Sequence, residues 1–265
     1  MKKLLWPILL YGVSSGALAQ AGGDEDGGPE GPPRWGLGVA AVVNDSPYAG
    51  EGTRVIPIPL VSYNGERFYF QGIGAGWRIV DNDSFELSAL GKFRMDGFSV
   101  DDLGRQELAR NGIDYRLLED RDKAFDLGLG MKWTGSAGEL EVELLADATD
   151  KSGGQEISIQ YGYPFEVGKG TLTPTVGATW QSEDMANYYY GTLDEEVARG
   201  IVDYKPGAVT VRFVGVQYFR PIGEKWTLIS FAKYNSLPDE IQDSPLVEPD
   251  TSGSASVFIG FSRGF

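Results

Sequence analysis

Apolar and polar residues alternate strictly, residue by residue, in run after run of this chain. In "RWGLGVAAVVN", Trp35, Leu37, Val39, Ala41 and Val43 fall on one side and Arg34, Gly36, Gly38 and Ala40 on the other. "SFELSALGKFRM" sets Phe85, Leu87, Ala89 and Phe93 against Ser84, Glu86, Ser88, Lys92 and Arg94, and "AFDLGLGMKWT" sets Phe125, Leu127, Leu129, Met131 and Trp133 against Asp126, Lys132 and Thr134. "ELEVELLAD", "QEISIQYGYPF" and "TLTPTVGATWQ" continue the pattern, with less regular runs near 208–220 and 225–235. A period of two belongs to a strand with one apolar and one polar face, and helices cannot satisfy it.

Short turns at 81–83, 135–138, 166–170 and 222–225 alternate with longer polar segments at 96–122, 148–153, 183–207 and 236–253. Short connections at one end and long ones at the other describe an antiparallel up-and-down sheet. Two of the long segments carry helical turns: "DDLGRQELARNG", which starts on Asp and stops on Asn-Gly, and "TLDEEVARG", which ends on Gly200.

Alternation alone leaves open which face meets water. Strand length and aromatic placement decide it. The runs are about 9 to 12 residues long, close to the roughly 9–11 that cross a bilayer at a tilt. Trp35, Tyr63, Phe93, Trp133, Phe165, Trp180, Trp226 and Tyr234 stand near strand ends, where the two interfacial girdles of a membrane barrel belong. The final run places Val257, Ile259, Phe261 and Phe265 on one face, opposite Ser254, Ser256, Gly260 and Ser262. Closing on Phe265 resembles the signal by which assembly machinery recognises bacterial outer-membrane barrels; Arg263 interrupts the apolar face at a depth where its head can snorkel to the interface. The expected fold is therefore all-β, an antiparallel up-and-down transmembrane β-barrel of 34–265 surrounded by outer-membrane lipid. Eleven runs are clear and single-chain barrels close with an even number. "RFYFQGIGAGWRIV", broken near Gly72, supplies two strands and gives twelve, with ten as the alternative.

The N-terminus reads as an export signal over 1–19: Lys2 and Lys3, an apolar stretch from Leu4 to Tyr11, then Ala17-Leu18-Ala19. Residues 20–33 form a Gly/Pro-rich acidic arm with Asp24, Glu25, Asp26 and Glu30. Formal charge is −15, which disfavours nucleic acid as a partner, since that needs a basic footprint. The chain has neither Cys nor His. Disulfides, thiolate and imidazole metal sites, and nucleophilic catalysis with an imidazole base are thereby excluded. No cofactor and no catalytic residue is expected, and the chain reads as a non-enzymatic monomer.

Three features invite a functional reading. Glu139, Glu141 and Glu143 lie on one face of one strand, about 7 Å apart, as a lumen wall that Lys92, Arg94 and Lys132 on neighbouring strands would neutralise. In an open lumen these six would set ion preference. "PIPLVSY" places Pro57 and Pro59 where two ladder donors are lost, so the strand is bent or bulged or its neighbours are short there. Tyr188, Tyr189 and Tyr190 either anchor a partner, extend the girdle or fold over the barrel mouth.

From Trp35 to Phe265 the sequence resembles the MipA/OmpV family of outer-membrane proteins. The resemblance rests on "YAGEGTRVIPIPLVSYNGERFYF" (48–70), on Tyr189, Tyr190 and Gly191 within "YYYGTLDEEVARG" followed by "DYKPGA", and on Ser244, Pro245, Leu246 and Val247 within "DSPLVE". It implies residence in the bacterial outer membrane and a scaffold role joining a lytic transglycosylase to a peptidoglycan synthase. The other implied role is that of a porin-like diffusion channel.

Overall fold

The computed structural model describes residues 33–265. The expected export signal at 1–19 and nearly all of the arm at 20–33 lie outside the described residues. The strands are β1 (Trp35–Asp45), β2 (Thr53–Asn64), β3 (Phe68–Gln71), β4 (Gly74–Asn82), β5 (Phe85–Arg94), β6 (Ala124–Gly135), β7 (Gly138–Asp147), β8 (Gln155–Gly162), β9 (Phe165–Val167), β10 (Gly170–Gln181), β11 (Val209–Ile222), β12 (Trp226–Ser236) and β13 (Gly253–Gly264). β8 and β9 both pair with β10 and are one wall strand interrupted at Tyr163-Pro164, so the wall has twelve. Each strand is antiparallel to the next, and β1 pairs with β13 from Gly36–Gly264 to Asn44–Ser256, which closes the ring. The twelve-strand expectation holds, including the division near Gly72. There Gly72 takes a φ of +58°, a left-handed conformation that a side chain would strain.

Alternation sorts the side chains as a membrane barrel requires. Val39 is 67% exposed on the outer face, while Val42, three residues on, is fully buried inside. Trp35, Trp133, Phe165, Trp226 and Phe265 stand exposed around the short-turn end, and Phe93, Trp180 and Tyr234 around the other. Exposed Val, Leu and Ile between two aromatic rings form the lipid-facing band of an outer-membrane barrel, with short turns toward the periplasm and long loops outside.

The long loops are folded. The β5–β6 loop carries α1 (Arg105–Arg110), and the β10–β11 loop carries α2 (Glu183–Tyr190) and α3 (Asp194–Ala198). The β12–β13 loop carries α4 (Asp239–Gln242). α1 and α3 match the helical turns read from the sequence. α2 does not: Ser182 caps it by accepting from the Met185 N–H, and Glu183 and Asp184 in its first turn suit the positive end of its dipole. The three tyrosines therefore belong to a helix.

Candidate functional site: the lumen and its extracellular cap

The cap is a small core of its own. Tyr48 and Ala49 from the β1–β2 loop pack with Phe98, Leu103, Leu108, Ile113 and Leu118 from the β5–β6 loop, Ile201 from the β10–β11 loop and Leu246 from the β12–β13 loop. The Tyr48 ring meets Phe98 edge-on at 4.8 Å and stacks on Tyr190 at 5.9 Å. Tyr189 is fully buried, and burial pushes the hydroxyls of Tyr48 and Tyr190 up in pKa. Of the three readings of the tyrosine cluster, folding over the mouth is the one the structure adopts.

The two loop motifs of the sequence meet in this cap. Ser244 Oγ donates to the Tyr190 carbonyl at 2.6 Å and Tyr48 Oη to the Tyr189 carbonyl at 3.2 Å. Asn111 Nδ2 donates to the carbonyls of Pro245 and Val247, and the Ala49 N–H to that of Leu246. Leu246 and Val247 are almost wholly buried. Gly191, next to Tyr190, offers its carbonyl to Arg121. Arg121 and Glu196 were not singled out by the sequence, yet they hold the centre: each is fully buried, and the guanidinium donates to both carboxylate oxygens at 2.8 Å.

Below the cap the lumen has two unlike walls. Ala40, Val42, Phe219, Ile229, Phe231 and Phe258 form an apolar cluster on β1 and β11 to β13, with Ile56, Ile58 and Leu60 of β2 packed against it. Phe231 and Phe258 stack at 4.9 Å. Across the ring, β4 to β8 carry charge. Lys92 Nζ pairs with Glu143, and Lys132 Nζ lies 3.1 Å from Glu139 and 3.5 Å from Glu141. Lys92 and Lys132 thus face the three carboxylates of the ladder, with Lys132 shared by two of them. Arg94 stands nearer the mouth, on Asp126 (2.6 Å), Asp96 (2.8 Å) and Glu156 (2.9 Å). Asp126, Glu156, and the pair of Arg78 with Glu86 (3.0 Å) are further lumen charges; of these the sequence placed Asp126 and Glu86 on polar faces, without partners.

The lumen contains a cavity of about 150 Å³ between these walls and another of about 80 Å³ beneath the cap. The larger is lined by Leu60, Ile229 and Phe258 on one side and by Lys92, Lys132 and Glu143 on the other. Among the described residues no cluster of acidic side chains has the arrangement of a metal site.

At the closing seam the Phe265 N–H donates to the Trp35 carbonyl at 2.9 Å, and the Arg263 guanidinium lies 5.0 Å from the Phe265 ring centroid. Val257, Ile259 and Phe261 face lipid beside them.

Several known proteins are similar to this chain. A relative named MltA-interacting protein from Escherichia coli (strain K12) is 29% identical over 229 residues, covering 86% of this chain and 90% of that protein. Outer membrane protein OmpV of Vibrio cholerae is 25% identical over 70% of each chain. Among solved structures, the NanC porin aligns over 86% of this chain and all of that one, at a TM-score of 0.45 and 11% identity. The family model described as MltA-interacting protein MipA matches residues 37–265, and the chain belongs to that family of outer-membrane proteins.

Proposed function

We propose that the protein is a capped interaction barrel: a scaffold that presents its periplasmic turns to peptidoglycan-remodelling enzymes and does not serve as an open pore. The observation that carries this reading is the cap. Four loops bury a common apolar core over the extracellular mouth, and the fully buried Arg121–Glu196 pair ties two of them together. A mouth closed by a packed core hinders bulk diffusion and leaves the periplasmic face as the accessible working surface. The relative named as MltA-interacting directs the choice of partner toward a lytic transglycosylase, with a peptidoglycan synthase as the second enzyme of such an assembly.

The second reading is a small-solute channel, favoured by the charged wall of Glu139, Glu141, Glu143, Lys92 and Lys132 along the larger cavity. Single-channel recording of refolded, heat-modifiable protein in planar bilayers separates the two. The scaffold reading expects a silent membrane and co-purification of a lytic transglycosylase with tagged protein; reproducible stepwise openings without such a partner favour the channel.

A further inference from the structure

The barrel wall has a notch. β2 runs for twelve residues, but β3 has only four and pairs with it only at Ser62–Gln71, Tyr63–Phe70 and Asn64–Tyr69. The chain then turns at Gly72 and returns as β4. β5 stays covered, because the Phe93 N–H still donates to the Ile73 carbonyl at 3.0 Å. Above Val61, β2 has no strand beside it on that edge among the described residues.

Backbone groups on a strand point alternately to its two sides. The Asn64 N–H donates to the Arg34 carbonyl, so even-numbered residues of β2 bond to β1; the Val61 carbonyl accepts from the Gly72 N–H at 3.3 Å, so odd-numbered residues face the notch. Those are Thr53, at the strand's start, and then Val55, Pro57 and Pro59. Proline has no N–H, so from Val55 to Pro59 the edge presents three carbonyls and a single donor. This is where "PIPLVSY" fits: its neighbour is short. At membrane depth an unpaired donor costs several kcal/mol, and the two prolines remove two of them.

The lower lip of the notch borders the larger lumen cavity. Val61, whose side chain is on the lipid side, and Gly72 and Ile73 at the hairpin tip all line that cavity. The geometry points to a lateral entrance through which an uncharged single-chain amphiphile, an apolar chain bearing a hydroxyl or amide head, passes from the outer leaflet into the lumen. The chain end packs against Leu60, Ile229 and Phe258 in the cavity of about 150 Å³. The head supplies the donors that the Pro57 and Pro59 carbonyls lack. An anionic head finds no free counter-charge among these groups, since Lys92 is paired with Glu143, Lys132 with Glu139 and Glu141, and Arg78 with Glu86. An added peptide strand is disfavoured because two of its carbonyls would meet proline nitrogens. The inference goes beyond the scaffold reading and stands whether or not the barrel conducts or binds an enzyme.

The test reconstitutes the protein in phosphatidylcholine vesicles containing a monoacylglycerol with a diazirine at its chain end, irradiates them and maps adducts by mass spectrometry. Adducts are expected on lumen-facing Leu60, Ile229 and Phe258 as well as on lipid-facing Val39 and Ile259. Excess unlabelled monoacylglycerol should lower the lumen adducts at least fivefold and leave the lipid-facing ones unchanged. A diazirine fatty acid of the same chain length should label the lumen at least fivefold less. Ile73→Trp and, separately, Val61→Trp, both checked for heat-modifiable migration, should block the lip and suppress lumen adducts alone. Adducts confined to lipid-facing residues overturn the entrance, as does lumen labelling that excess amphiphile fails to displace. Equal labelling by the fatty acid overturns the proposed head chemistry. If neither Trp variant folds, saturation and head-group preference in the native chain decide the matter.

Discussion

Arg121 and Glu196 stand 75 residues apart in sequence and meet as a fully buried, two-pronged ion pair that joins the β5–β6 loop to the β10–β11 loop. The Glu196 carboxylate also accepts the backbone N–H groups of Glu119 and Leu193. Arg121 reaches the carbonyls of Tyr188, Glu119 and Gly191. Donors and acceptors are thus satisfied on both sides, the condition under which a buried charge is tolerated.

Removing one partner strands the other. Glu196→Leu should cost the cap about 3–5 kcal/mol, the usual penalty for orphaning a buried charge. The hydrogen bonds of this pair go to Glu119, Tyr188, Gly191 and Leu193, all outside the barrel strands, which should keep their stability. Hydrogen exchange should therefore show fast exchange across the cap helices with β-strand protection intact, and proteases should cut within 95–123 or 182–208. If the cap closes the pore, planar-bilayer conductance should rise in the same variant.

Acid should loosen the same contact. Burial pushes the Glu196 carboxyl up, but its hydrogen bonds to Arg121 and its attraction to that guanidinium outweigh burial and hold the pKa below the ordinary carboxylate range. A group with a depressed folded pKa contributes stability that is present above its unfolded value, about 4.3 for Glu, and lost as pH falls through the folded value. Cap protease resistance should thus be full at neutral pH and drop in acid below about pH 4. In Glu196→Gln the drop attributable to this group should vanish.

The strands were legible because lipid imposes a strict period of two. Even the difficult division of "RFYFQGIGAGWRIV" followed from counting strands and finding Gly72, whose φ of +58° suits the tip. Pro57 and Pro59 were legible as an anomaly; only the register of β2 showed that a short neighbour was the reason. The cap was illegible for a physical reason. Its contacts join residues far apart, such as Tyr48 with Tyr189 and Asn111 with Pro245, and its helices are too short to carry a hydrophobic period. The ladder of Glu139, Glu141 and Glu143 was found by spacing, whereas assigning Arg94 to it failed because strand stagger lifts Arg94 to the level of Asp126 and Glu156.

Within the ladder, the Lys92–Glu143 pair is half-buried, so its worth lies between that of a surface pair and a buried one. Lys92→Met should leave a carboxylate facing the apolar wall and lower barrel stability by about 1–2 kcal/mol. The double variant Lys92→Met with Glu143→Leu should recover most of that loss. Urea or guanidinium unfolding in vesicles, analysed as a double-mutant cycle, measures the coupling. Equal stability of all four proteins would show that solvent already screens the pair.

Closure of the ring makes a separate prediction at Phe265. Its N–H bonds to Trp35 and its ring lies under Arg263, on a seam whose other lipid-facing members are Val257, Ile259 and Phe261. Deleting Phe265 removes that bond and one member of the lower girdle, and takes away the terminal aromatic expected to guide assembly. The yield of heat-modifiable barrel in the outer membrane should fall severalfold, while in vitro refolding into detergent should fall less. An unchanged cellular yield would leave Phe265 as a girdle residue only.

The two prolines of β2 allow a test by sign. In a strand paired on both sides, replacing Pro by Val restores a ladder donor and stabilises the sheet by about 1 kcal/mol per bond. On the open edge above Val61 the restored N–H groups of Pro57→Val and Pro59→Val would point into the notch with no strand to accept them. Each should then cost about 1–3 kcal/mol, the penalty for an unsatisfied buried donor. The double variant should therefore unfold at lower denaturant than the native chain. A higher midpoint would mean that the notch is closed by a strand partner in the bilayer.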